Sequence, residues 1–144
     1  MKKQIVGLIL LAVSAVCFAG GDKIMIINKT SHDLITSVSR HECISHPRSL
    51  NLNIPAGETV KTKAQYSNKG FCRINRSSYV MDIKLADVQD DMLGSLQMNH
   101  YANFFHLGEY SNKSVPNTLF DLTFKHSTGS KSATITVREY RAIT

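Results

Sequence analysis

The residue types best suited to metal binding are most closely spaced between positions 41 and 46, where the chain reads HECISH. These residue types resemble those of the zinc-protease motif HExxH, in which a helix brings two histidines four residues apart to one metal. Here the histidines are five residues apart, in a segment with strand and turn character. We interpret them as surface histidines. The alternative is a metal held jointly by His32, His41 and His46.

An acidic cluster offers a second, weak metal hypothesis. Asp87, Asp90 and Asp91 could supply three carboxylates from one loop, and calcium binds several oxygen ligands at once. The spacing departs from that of a calcium-binding EF-hand loop, and the glycine of that loop is missing. A solvated acidic turn is the favoured interpretation, so no cofactor is expected beyond this weak calcium candidate.

An aromatic segment is the best candidate contact surface. Tyr101, Phe104, Phe105 and Tyr110 lie within ten residues, with His106 among them. In a strand, consecutive side chains point to opposite faces, so one of Phe104 and Phe105 can be core while the other covers a second layer or lies at a surface. Exposed aromatic rings suit contact with a sugar, a peptide or a lipid headgroup. The alternative is that both rings are core.

No local pattern predicts catalysis or nucleic-acid binding. There is no glycine-rich phosphate loop and no nucleophile elbow, and a Ser-His-Asp triad would have to form from distant residues. The Lys and Arg residues are scattered rather than gathered in a stripe with aromatics, which argues against a nucleic-acid partner. Weak attraction to anionic surfaces remains open. Whether the protein is an enzyme is uncertain, and the sequence leans towards no.

Residues 1–19 predict a secretory signal peptide. Lys2 and Lys3 precede an apolar run that ends with Ala19 at a small-residue cleavage position, which is the typical layout. The run is short for a membrane anchor, and Val16 is unfavourable before a lipid-modified Cys17. We expect a secreted or periplasmic protein, and the short leader looks bacterial. Cleavage removes two of the 17 Lys and Arg, so the formal charge falls from +6 to +4.

Two of the three cysteines remain after cleavage, Cys43 and Cys72. In an oxidising compartment they are expected to form a disulfide. Its loop would stabilise the fold by about 3.5 kcal/mol on a chain-entropy estimate. A reactive free thiol is the competing interpretation.

Alternating apolar and polar residues predict an all-β protein. The clearest example is 79–85, where Tyr79, Met81, Ile83 and Leu85 share one face. About 125 residues suit one domain, 20–144, and short strands with frequent turns favour an antiparallel two-sheet sandwich of about eight or nine strands, with a barrel as the alternative. Other strands are predicted over 23–28, 34–40, 50–54, 59–65, 71–74, 120–125 and 133–137, with weaker candidates at 93–98 and 103–107 and a helical turn within 86–93.

Lys61 and Lys63 give the strand over 59–65 the charged character of a sheet edge. Three N-glycosylation sequons begin at Asn28, Asn75 and Asn112. They are relevant only in a host that glycosylates exported proteins.

The apolar strand that leads into Asn28-Lys-Thr-Ser, with Ile54-Pro-Ala-Gly57 downstream, resembles the layout of small secreted sandwich proteins such as the aegerolysins. That resemblance implies a membrane-binding sandwich. It assigns no functional residue.

Three functions remain in order of preference. The first is an exported, non-catalytic binding module for a protein, glycan or lipid surface. The second is a membrane-active protein, either lipid-binding or toxin-like, that uses the aromatic segment and the positive charge. The third is a small secreted hydrolase or metal-dependent enzyme.

Overall fold

A computed structural model describes residues 21–73, 77–87, 91–100, 109–115, 119–127 and 131–140. Within these ranges the chain forms ten β-strands and two short 3-10 helices, over Pro47–Leu50 and Gly70–Arg73. The strands are β1 Gly21–Lys29, β2 Leu34–Glu42, β3 Ile44–Ser45, β4 Asn53–Ile54, β5 Thr59–Tyr66, β6 Ser77–Leu85, β7 Met92–His100, β8 Glu109–Ser114, β9 Phe120–Ser127 and β10 Ser132–Glu139.

The strands form two five-stranded sheets packed face to face, so the predicted β-sandwich is confirmed and the barrel alternative is wrong. The first sheet has the order β3-β5-β1-β10-β9, and the second has the order β4-β2-β6-β7-β8. Pairing is antiparallel except between β1 and β10, which run parallel at the centre of the first sheet. Parallel strands need a long connection, and here almost the whole domain lies between the two.

The core lies between the sheets, and strict alternation places it there. Along β6, every second residue from Ser77 to Leu85 is buried, because one face of each strand packs inward and the other meets solvent. On β1 the inward positions are Ile24 and Ile26, and on β10 they are Ala133, Ile135 and Val137. Gly94 of the second sheet leaves room for Leu122 of the first, since an added Cβ would lie 2.8 Å from Leu122 Cδ2.

The predicted strand 71–74 is a 3-10 helix over its described residues 71–73, and the predicted strand 50–54 is shortened to Asn53–Ile54 behind another 3-10 helix. Residues 47–50 form a 3-10 turn that begins at Pro47, because the fixed φ of proline favours the first turn of a helix. Residues 70–73 also form a 3-10 turn, entered through Gly70 at φ 55°. The polar strand β8 was not predicted because it has no apolar alternation. The candidate strand 103–107 lies outside the described residues.

The predicted disulfide is confirmed. Cys43 and Cys72 are bonded, with their Cα atoms 5.4 Å apart. Cys43 lies at the corner where the chain leaves β2 in the second sheet and enters β3 in the first. The bond joins this corner to the 3-10 helix that follows β5, and the Ser67 amide donates to the Cys43 carbonyl beside it at 2.7 Å.

Asn28 connects the two sheets through one buried side chain. Its Nδ2 donates to the carbonyls of His32, Ile54 and Pro55 at 2.7, 3.0 and 3.1 Å. Its Oδ1 accepts from the amide and hydroxyl of Thr30. The end of β1, the following turn and the end of β4 are thereby held at one point. Because Asn28 is fully buried, its amide nitrogen cannot carry a glycan in the folded protein.

We expect Asn28→Asp to destabilise the protein more than any neighbouring Asn→Asp change. The substitution keeps the shape but replaces the donating amide with an acceptor that faces three carbonyl oxygens, so the loss should be about 3 kcal/mol or more. Urea denaturation measures it. The control is Asn53→Asp at an exposed position on β4, which should change stability by less than about 0.5 kcal/mol. Equal effects at the two positions would contradict the role assigned to Asn28.

Candidate functional site

The charged side chains on the outward face of the first sheet are predominantly basic. Alternation turns the odd-numbered residues of β1, β5 and β9 and the even-numbered residues of β10 away from the core. Six of these outward residues are cationic, and all six are exposed. We call this surface the basic face, and its cations are Lys23, Lys29, Lys61, Lys63, Lys125 and Arg138.

Strand register brings these scattered residues together. Lys23 on β1 lies directly opposite Lys63 on β5, and Lys61 lies opposite Met25. At the other end of the sheet, Lys29 pairs with Arg138 in register. Gly21 leaves room for the Lys63 side chain, since a Cβ there would lie 2.6 Å from Lys63 Cε.

The basic face holds its charges without local neutralisation. Among its described outward residues the only carboxylate is Asp121, opposite Arg138 in register. Within the described ranges, no salt bridge involves any of the six cations, because the two ion pairs found there both centre on His32. Like charges directly opposite each other in a sheet are unfavourable. The Lys23–Lys63 pairing therefore lowers stability.

The outward face of the second sheet has a mixed charge. Its cations Arg40, Lys84 and Lys113 are interspersed with Glu42 and Asp82 in the described strands. In the described strands the net positive charge is therefore much larger on the first sheet, with six cations and one carboxylate, than on the second, with three cations and two carboxylates. The contrast also provides a surface with matched charges for control substitutions.

A shallow depression of about 290 Å³ lies on the basic face between β5, β1 and β10. Lys23 and Lys61 border it on one side, and Ser132 and Thr134 on the other, with Met25 also contributing. Ammonium groups and hydroxyls on opposite sides can bind an anionic group and a neutral hydroxyl at the same time. No catalytic group is required for this chemistry.

The predicted aromatic contact surface falls largely outside the described residues. Tyr101, Phe104, Phe105 and His106 are not described, whereas Tyr110 lies on β8 opposite Met98. This surface stays a prediction. Elsewhere in the described chain, Phe71 on the second 3-10 helix is 79% exposed. The sequence predicts a strand over 71–74, and that pattern gives no signal for an exposed ring at Phe71.

The weak acidic metal candidate is described in part. The Asp87 side chain is more than half exposed and its Oδ2 lies 3.3 Å from His32 Nδ1. The backbone carbonyl of Asp91 accepts from the Leu85 amide, and Asp90 lies outside the described residues. Over the described ranges, no three His, Cys, Asp or Glu residues are grouped as a metal site requires.

His32 links three segments of the chain at one end of the sandwich. Its Nδ1 faces Asp87, and its Nε2 lies 3.6 Å from Glu139 Oε1. The Ser31 hydroxyl donates to Glu139 Oε2 at 2.8 Å. A catalytic triad needs the serine bonded to the histidine, whereas this serine bonds the carboxylate. These contacts instead join three segments at the surface: the turn between β1 and β2, the residues that follow β6, and the end of β10.

Comparison with known proteins identifies the fold and no family. No protein-family model matches the sequence, and no curated protein matches it. The structure is similar to IP-1A from Alcaligenes faecalis, with a TM-score of 0.64 and 9% identity over 88% of this chain and 95% of that one. It is also similar to the RahU protein solved with a TRIS molecule, with a TM-score of 0.61 and 10% identity over 87% and 98% of the two chains.

The cellular environment is indicated by the disulfide. A bonded Cys43–Cys72 pair points to an oxidising, extracellular-type compartment. The described part of the chain has no helix long and apolar enough to cross a bilayer.

Ser31 is expected to control the titration of Glu139. The Ser31 backbone amide, the Ser31 hydroxyl and the His32 charge hold the pKa of Glu139 below its ordinary value of 4.5. The contribution of these contacts to stability is present above pH 4.5 and is lost as the pH falls through the lower pKa of the folded state. Ser31→Ala should raise the pKa of Glu139, as measured by carboxyl NMR titration. A control variant, Ser39→Ala, should leave that pKa unchanged, and an unchanged pKa in Ser31→Ala would contradict the assignment.

Proposed function

We propose that this protein is an exported, non-catalytic binding module that holds an anionic partner against the basic face. The observation that carries the proposal is the arrangement of six exposed cations and one carboxylate on the outward side of one sheet. Solubility alone requires only a surface on which positive and negative charges are interspersed, as on the second sheet. It does not require cations gathered on one face.

The unfavourable Lys23–Lys63 pairing supports a functional origin. Local choices in a folded protein usually agree with its stability, and departures are expected at functional sites. Two lysines opposite each other on adjacent strands depart from that rule. An anionic ligand would relieve the repulsion on binding, so affinity and stability would be linked.

Export is part of the proposal. The leader over residues 1–19 has the layout of a signal peptide, and the disulfide suits a secreted or periplasmic protein. The short leader favours a bacterial source. A non-catalytic role is favoured because the one Ser-His-acid cluster among the described residues lacks the bond that would activate its serine.

Membrane attachment is the second candidate, and Phe71 is the observation that favours it. The ring is exposed on a short 3-10 helix two residues after Lys69. An exposed aromatic ring next to cations favours binding to a membrane surface, because the ring can insert among the lipids while the cations attract anionic headgroups. In this case binding would combine insertion of Phe71 with charge attraction, and high salt would weaken it only in part.

Charge-matched triple variants test the proposal. The face variant carries Lys23→Gln, Lys61→Gln and Lys63→Gln, whereas the control variant carries Arg40→Gln, Lys84→Gln and Lys113→Gln on the second sheet. Both lose three positive charges. Binding to soluble polyphosphate and to vesicles of phosphatidylcholine and phosphatidylglycerol is measured at low salt. At about 1 kcal/mol for each lysine near an anionic lipid surface, the face variant should bind the vesicles roughly 100-fold more weakly.

The control variant should lose only a few-fold from its lower net charge. Equal losses in the two variants would mean that net charge alone attracts the probes, and the proposal would be wrong. Phe71→Ser separates the second candidate, since it should abolish salt-resistant sedimentation with vesicles and leave polyphosphate binding unchanged.

A further inference from the structure

We propose that the partner of the basic face is a linear anionic polysaccharide, with the depression between Lys23, Lys61 and Thr134 as the subsite for one charged sugar. This inference rests on the proposed function, because it names the ligand class of the same surface. Four features of the face favour a polysaccharide over other polyanions.

The first feature is that neighbouring rows of the sheet together present both cations and hydroxyls. One row runs Lys61, Met25, Thr134, Lys125 across four strands. With strands about 4.8 Å apart, that row spans about 14 Å. The next row places Thr59, Ile27, Thr136 and Thr123 side by side. An anionic sugar chain presents charged groups and hydroxyls in the same mixture, and each hydroxyl can donate and accept.

The second feature is the shape of the surface. The depression holds about 290 Å³, near the lower limit of small-molecule pockets at about 300 Å³. It suits one unit of a chain rather than a complete small ligand. Because it lies on an open sheet face, the chain can continue over Lys125 on one side and past Lys63 on the other.

The third feature is the choice of cation. Five of the six cations are lysines. A lysine ammonium is a compact charge with three rotatable donors, whereas arginine suits fixed bidentate geometry. Lysines therefore fit acidic groups that are presented in several orientations along a flexible chain.

The fourth feature is the chemistry that the face lacks. Among the described outward residues of β1, β5, β9 and β10 there is no aromatic ring, so unpaired bases would have nothing to stack on. Met25 and Ile27 are only half-exposed and do not provide a protruding apolar wedge. Within the described chain, nucleic acid and inserted lipid are therefore less well matched to this face than a sugar chain.

Removing one hydroxyl without changing any charge tests the inference. Thr134→Val keeps the size and β-branching of the side chain. Its control is Ser95→Ala, which removes an outward hydroxyl from the second sheet. Titrations of the exported protein, residues 20–144, use heparin, alginate and polyphosphate, with neutral dextran as a blank. Thr134→Val should lower the heparin or alginate affinity about fivefold and the polyphosphate affinity by less, because polyphosphate has no hydroxyls along its chain to donate to Thr134. Ser95→Ala should change none of them.

The outcomes separate this inference from the proposed function. If Thr134→Val alters no affinity while the triple face variant weakens binding to every polyanion, the face binds by charge alone and the polysaccharide inference is wrong. If the face variant also binds normally, the proposed function fails as well. Tighter binding to a single-stranded oligonucleotide, or to phosphatidylglycerol vesicles, than to either polysaccharide at equal charge and salt would likewise overturn the inference.

Discussion

The buried amide of Asn28 fixes the orientation of the strand on which the candidate site is built. Its hydrogen bonds to His32, Ile54 and Pro55 hold the end of β1 against the end of β4, and so join the first sheet to the second. Strand side chains alternate with a period of two, so a slip by one residue would exchange the two faces of β1. Lys23 would then point into the core and Ile24 into solvent. Asn28 can make these bonds, and Ile24 and Ile26 can be buried, only in the register that turns the lysines of β1 outward.

The basic face is maintained against its own repulsion by interactions elsewhere in the sandwich. Lys23 and Lys63 are paired in register and take part in no salt bridge within the described chain, and directly opposed like charges are destabilising. The Cys43–Cys72 loop contributes about 3.5 kcal/mol on the chain-entropy estimate, which acts against that destabilisation. The disulfide also closes the corner next to β5, the strand that carries Lys61 and Lys63. The disulfide and the buried hydrogen bonds of Asn28 thus add stability beyond that of hydrophobic packing, and this stability offsets the repulsion on the basic face.

The fold could be predicted from the sequence because its signals are local, whereas the site could not because its residues meet only through long-range pairing. Alternation within 79–85 identifies a half-buried strand without knowledge of its neighbours, and two cysteines allow a single pairing. In contrast, Lys23, Lys125 and Arg138 share a face only because β1 pairs in parallel with β10 and β10 pairs with β9. No local pattern indicates that order. A weaker signal is available. Each of these residues stands at an outward, polar position of its alternating strand, so a comparison of the charges at those positions alone would have suggested a basic face.

Function must be sought on the surface of this sandwich rather than in its architecture. Two solved proteins share the fold at 9% and 10% identity, which leaves almost every outward residue free to differ, and one fold can carry unrelated functions. The surface feature of this chain that points to a function is the unequal charge of its two outer faces in the described strands. Such asymmetry gives the molecule a preferred orientation as it approaches a polyanion, over a range of about 8 Å at physiological salt. The basic face would meet the partner first, and short-range contacts with Thr134 and its neighbours would then decide which polyanion is retained.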